Sequence, residues 1–179
     1  MNDERYNRVM VLLHWALALG LIAQLGLGLW MEEIPKDPPG VRAYWFNLHK
    51  SIGIVLGFLV LWRLGWRVTH SVPPQLPSTP DWQAKVAKLN HALMYVVMVL
   101  LPVSGFLGSS FSPYPVKFFG IVLPRLWEAQ PDFKSVLSEV HELTAFALIA
   151  LVALHLLAVV WHTVVKKDGL LSRMSFKSP

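Results

Sequence analysis

Polar and apolar positions in this chain do not alternate with the period of a surface helix or a strand. They separate into long blocks. Val9–Met31 runs without a formal charge and is interrupted only by His14 and Gln24. Leu89–Phe111 and Leu143–Val165 are blocks of the same kind. At about 1.5 Å of rise per residue, each is long enough for a hydrocarbon core of about 30 Å. A fourth block is shorter, Ser51–Trp62, and is bracketed by Lys50 and Arg63. Both brackets have long stems that carry their charges toward an interface. The pattern therefore predicts four spans, at about 9–31, 45–67, 87–111 and 139–165. The expected fold class is an all-α membrane protein, a four-transmembrane-helix bundle forming one domain over residues 1–179.

Composition agrees with that pattern. Of 179 residues, 54% are hydrophobic and 15% charged, and the mean hydropathy is +0.47. An ordinary soluble domain carries roughly 25% charged residues. Cysteine is absent. That excludes disulfides, iron–sulfur clusters, zinc–thiolate sites, covalently attached c-type haem and a thiol nucleophile. The net charge of +5 sits in short stretches between apolar blocks, so it sets orientation and implies no nucleic acid partner. One side carries ten basic residues: Arg5, Arg8, Arg63, Arg67, Lys85, Lys88, Lys166, Lys167, Arg173 and Lys177. The other carries six: Lys36, Arg42, Lys50, Lys117, Arg125 and Lys134, among seven acids. Both termini are expected in the cytoplasm, with the connections at about 32–44 and 112–138 outside. The first apolar block is too long for a cleaved leader, and no small-x-small site follows it. Pro73, Pro74, Pro77 and Pro80 make the 72–81 connection a stiff, extended link. Pro102 falls inside the third span, where it is expected to kink or loosen the helix. The aromatic segment 114–127 reads as an interfacial piece.

The candidate chemistry lies with histidine. Six of the seven histidines, His14, His49, His91, His141, His155 and His162, lie in or at the ends of the spans. His70 is in a loop. An ionisable residue inside a membrane marks a functional site by default, the alternative being a neutral ring bonded to a neighbouring helix. His141 and His155 are 14 residues apart, so they share a helix face about 21 Å apart along the axis. That spacing serves two sites at different depths. His49 starts the second span at the level of His141. His14 starts the first span, near the level of His155. Two bis-histidine pairs follow, His49 with His141 and His14 with His155. Haem suits such pairs, because it needs one imidazole on each face, whereas zinc needs three or four converging ligands. His91 is an alternative inner ligand. Met10, Met31, Met94 and Met98 are weaker axial candidates. Gly28 and Gly53 follow the faces of His14 and His49 and make room for a planar group, or simply let helices approach closely. Arg63 and Arg67 face the inner site as partners for a haem propionate, or follow the rule that places positive charge inside. His162 is a propionate or quinone contact, or a helix cap. The tryptophans at the span ends read as interface anchors.

These residues resemble the bacterial cytochrome b561 family of inner-membrane dihaem b-type cytochromes, which is related to the cytochrome b subunits of hydrogenases and formate dehydrogenases. The resemblance rests on LLHWALAL at 12–19, LHKSIGIVLGFLVLWRLGWR at 48–67, LNHALMYVVMVLLPVSGFLGSS at 89–110, PVKFFGIVLP at 115–124 and the segment from His141 to Met174. It implies two non-covalent haem b groups, ligated by His14 with His155 and by His49 with His141. It implies a multi-pass protein of the bacterial inner membrane that transfers electrons to or from ubiquinone. For some members it implies oxidation of superoxide at the outer side, and Lys50, next to His49, is the candidate steering charge for that anion. Relatives carry two adjacent histidines after the last tryptophan, whereas this chain has Trp161-His162-Thr163. Three functions compete. The first is a stand-alone quinone oxidoreductase, whose partners are the lipid bilayer, quinone, and superoxide or a redox protein. The second is a haem-bearing membrane anchor of a larger dehydrogenase, and the third is a haem-free transporter or scaffold.

Overall fold

The computed structural model describes residues 5–38, 40–76 and 79–176. Residues 1–4, Pro77 of the proline link and Lys177 of the basic inventory lie outside the described residues. The described residues hold four long helices: α1 (Arg8–Glu32), α2 (Val41–Thr69), α3 (Asp81–Ser110) and α4 (Pro131–Val160). The last runs on through a π-helical turn, Trp161–Lys166, and all four are long and apolar enough to cross a membrane. The fold is a membrane helical bundle.

Three of the helices begin for a local reason. Asn7 caps α1 by accepting the Met10 N–H on its side-chain oxygen at 2.9 Å. Gly40 precedes α2 with φ of +98°, a conformation that a side chain would strain. Pro131 opens α4 in the first turn, where its missing N–H costs nothing. Pro102 does not end α3. The helix continues through it, and the ring packs over Gly57, where an added Cβ would meet Pro102 Cβ at 3.0 Å.

Only a minority of the residues of each helix are buried. The core is Leu17, Leu56, Val60, Met98, Leu101 and Leu148, drawn from all four helices. Large apolar residues such as Leu19, Phe58 and Leu157 face outward, as a lipid-facing surface requires. Association between helices in lipid depends on close packing at small residues. Gly20 lies on Leu56, where an added Cβ would come within 2.7 Å of Leu56 Cδ2. Gly108 takes Leu137 in the same way, at 3.3 Å.

Two features depart from a plain bundle. The outer segment 114–127 holds a two-stranded antiparallel hairpin, β1 (Lys117–Phe118) with β2 (Ile121–Val122). Ser51 of α2, 1% exposed, accepts the Phe119 N–H on its hydroxyl at 2.9 Å, so the hairpin is docked on the bundle. At the opposite end the short helix Leu170–Met174 folds back under α1. Trp15 Nε1 donates to the Met174 carbonyl at 2.9 Å, and Arg173 donates to the Pro74 carbonyl at 2.7 Å.

Candidate haem sites

Two histidine pairs meet between α4 and the first two helices. His49 of α2 and His141 of α4 have ring centres 6.2 Å apart. His14 of α1 and His155 of α4 have ring centres 6.3 Å apart. A metal–imidazole bond is about 2 Å and a ring nitrogen lies about 1.1 Å from its ring centre, so two imidazoles on opposite sides of one ion stand about 6.3 Å apart. Direct stacking would bring them closer.

The His49–His141 pair, at the end expected to face outward, adjoins a cavity of about 860 Å³ between the helices, walled by Gly28, Gly53, Leu56, Gly57, Ser104 and Gly105 among others. Its glycines sit against the ligand rings. An added Cβ at Gly105 would stand 2.9 Å from His141 Cε1, and one at Gly28 would stand 3.2 Å from His49 Cε1. His141 Nδ1 donates to the Leu101 carbonyl at 2.9 Å, with Ser104 Oγ at 3.3 Å. A carbonyl only accepts, so Nδ1 carries the proton and Nε2 keeps its lone pair for a metal. His49 Nδ1 is buried and has no hydrogen-bond partner. Lys50, Lys134, Glu32 and Glu142 stand at the same cavity.

The inner pair is more crowded. His91 also reaches His155, with ring centres 5.4 Å apart, and its Nδ1 donates to the Ala87 carbonyl at 2.7 Å. That distance is short for an intervening ion. Arg63, 9% exposed, places a guanidinium nitrogen 3.2 Å from His14 Nδ1. Guanidinium only donates, so this contact leaves the His14 proton on Nε2. Ligation through Nε2 therefore requires Arg63 to take another acceptor. Its Nε is buried and unpartnered, as is the hydroxyl of Tyr95. Arg63 and Arg67 both lie over the Tyr95 ring, at 5.5 and 5.9 Å from its centroid. Among the described residues the ion pairs are Arg42–Glu32 and His162–Asp168, so neither inner arginine has a carboxylate. A buried cation without a counterion is costly, and an anionic group brought in from outside satisfies it.

The donor set fits haem better than a simple metal ion. Among the described residues no three His, Asp or Glu side chains converge as a metal site. Sequence reasoning did not pick out Gln24, Tyr95 and Ser104. The polar Gln24 inside an apolar block was the available signal. His162 pairs through Nδ1 with Asp168 Oδ2, beyond the simple helix cap. Burial works to raise the Asp168 pKa, but the hydrogen bonds from His162 and from the Leu170 N–H outweigh it and hold the carboxyl below its usual value.

A membrane bundle of four helices with paired histidines near each end has the architecture of a membrane b-type cytochrome. The chain belongs to the prokaryotic cytochrome b561 family, whose description, "Prokaryotic cytochrome b561", matches residues 5–177. It is 31% identical to "Cytochrome b561 homolog 2" of Escherichia coli over 99% of this chain and 94% of that one. It is 27% identical to "Probable superoxide oxidase CybB" of Yersinia pestis, over 96% of each chain. "Cytochrome b562" of Cereibacter sphaeroides is 29% identical, over 97% of this chain and 96% of its own. Membership implies b-type haem binding and a bacterial multi-pass membrane protein.

Proposed function

We propose that the chain carries electrons across the bacterial inner membrane between two non-covalent haem b groups and exchanges them with ubiquinone. The termini are cytoplasmic, so the His14–His155 site is inner and the His49–His141 site is outer. The observation that carries this reading is the ring spacing of 6.3 and 6.2 Å in two pairs at opposite ends of one bundle. When bound, haem supplies a reversible one-electron change at iron.

The protein's own residues do the rest. His14 with His155 would hold one haem and His49 with His141 the other. The Leu101 carbonyl keeps His141 in the ligating tautomer. Arg63, released from His14, and Arg67 hold a propionate at the inner site. Leu17, Leu56, Val60, Met98, Leu101 and Leu148 form an apolar layer between the sites. Electrons cross such a layer more readily than protons. At the outer face superoxide is the proposed donor, by analogy with the Yersinia pestis relative's printed name. Lys50, at the wall of the cavity beside His49, supplies local positive charge that would steer an anionic donor there.

Haem quantitation with a reduced-minus-oxidised spectrum tests the reading. Two acid-acetone-extractable haems per chain are expected, and a ratio of one overturns the two-site assignment. No b-type bands at all returns the chain to a haem-free transporter or scaffold. Co-purification with hydrophilic subunits, together with failure of superoxide to reduce the haem, selects the dehydrogenase anchor.

A further inference from the structure

Gln24 is a buried amide in the middle of α1, 9% exposed, at the wall of the outer cavity. Its Nε2 donates to the backbone carbonyl of His49. That carbonyl only accepts, which fixes which end of the amide faces it. The other end, Oε1, is buried and has no partner. The Nδ1 of the same His49 is also buried and has no partner. These two residues, already joined through the His49 carbonyl, thus each keep one buried polar atom without a partner. The His49 ring edge faces α1, since a Cβ at Gly28, one turn beyond Gln24, would lie 3.8 Å from Nδ1. An isolated polar atom in such a place costs about 1–3 kcal/mol, and a metal-bound imidazole donates its second N–H almost without exception. The opposite ligand, His141, already does so to Leu101.

We infer that Gln24 is a positioning residue for the outer haem: its side-chain carbonyl accepts the Nδ1–H of His49, fixing the ring's tautomer and raising its basicity. This rests on the outer-haem reading above. Gln24 and His49 both line the same cavity, which gives the amide space to turn. A more basic imidazole favours ferric iron, so the bond holds the outer potential down.

The test uses full-length protein carrying isotope-labelled histidine, with redox titration and redox-difference infrared spectra. In Gln24→Leu the outer potential is expected to rise and the His49 ring C–N stretch to move to its unbonded position, with the inner haem unchanged. Retention of the outer haem is expected to weaken by roughly 10–100-fold. Gln24→Glu restores an acceptor and is expected to return the band to its bonded position. An outer potential and ring band in Gln24→Leu equal to wild type overturn the inference, leaving Gln24 as a tie between α1 and α2. Absence of an outer haem in the unmutated protein overturns the function reading instead.

Discussion

The two histidine pairs are nearly superimposable in spacing and differ in almost everything around them. The outer pair stands at a cavity walled by glycine, and one of its rings is already locked by a carbonyl. The inner pair shares its space with a third histidine and two arginines that have no carboxylate. The outer site is shaped by the absence of side chains. The inner site is defined by uncompensated positive charge. Steric changes should therefore damage the first and electrostatic changes the second.

The largest effects test whether the pairs are independent. His141→Ala is expected to remove one of the two haems and leave the inner one spectrally intact. Loss of both would mean that the sites fold as a unit. At the inner end His14→Ala is expected to abolish the haem and His91→Ala to spare it. The reverse result, seen by haem quantitation, would exchange their roles.

A steric probe comes next. Gly105→Val places carbon against the His141 ring and is expected to cost about 1–3 kcal/mol of outer haem affinity, roughly tenfold or more, with the inner haem unaffected. Equal loss from both sites would erase the contrast. Arg63→Gln is expected to keep the inner haem and lower its potential by about 40–80 mV, from roughly 1–2 kcal/mol of lost Coulomb attraction. Redox titration reads this directly, and an unchanged potential returns Arg63 to a topological role.

The smallest effect concerns the inner surface. The Asp168 carboxyl is held below its usual pKa, so its contribution to stability is present above the ordinary carboxylate range and is lost as pH falls through the folded value. Asp168→Asn is expected to remove that acid-side dependence and to loosen the 170–174 segment. Hydrogen exchange of that segment at two pH values measures both.

The helices were legible because an uncharged block has one reading in lipid. Even α2, whose apolar run stops at Lys50 and Arg63, could be extended by the reach of those side chains. Its start at Val41 depends on the backbone of Gly40, which hydropathy does not register. The histidine pairing was legible from depth and phase, because the arrangement of spans limits which rings stand level. The competition between His14 and His91 was not resolved there, since lateral placement of α1 and α3 around α4 leaves no mark on periodicity. The hairpin at 117–122 was missed for a different reason. Its strands are two residues each and depend on Ser51, far away in sequence. Gln24 and Tyr95 stand out only once neighbouring helices show which of their atoms lack partners.

One helix supplies a histidine to both pairs, and it is made after the helices that carry their partners. His141 and His155 belong to α4, whereas their partners belong to α1 and α2. During synthesis the first three helices can enter the bilayer and pack through Gly20 and Gly57 with neither pair complete. The 170–174 segment then closes on Trp15 and Pro74, joining chain made after α4 to chain made before it. Maturation thus has a built-in order. A chain truncated before α4 is expected to insert without either histidine pair complete.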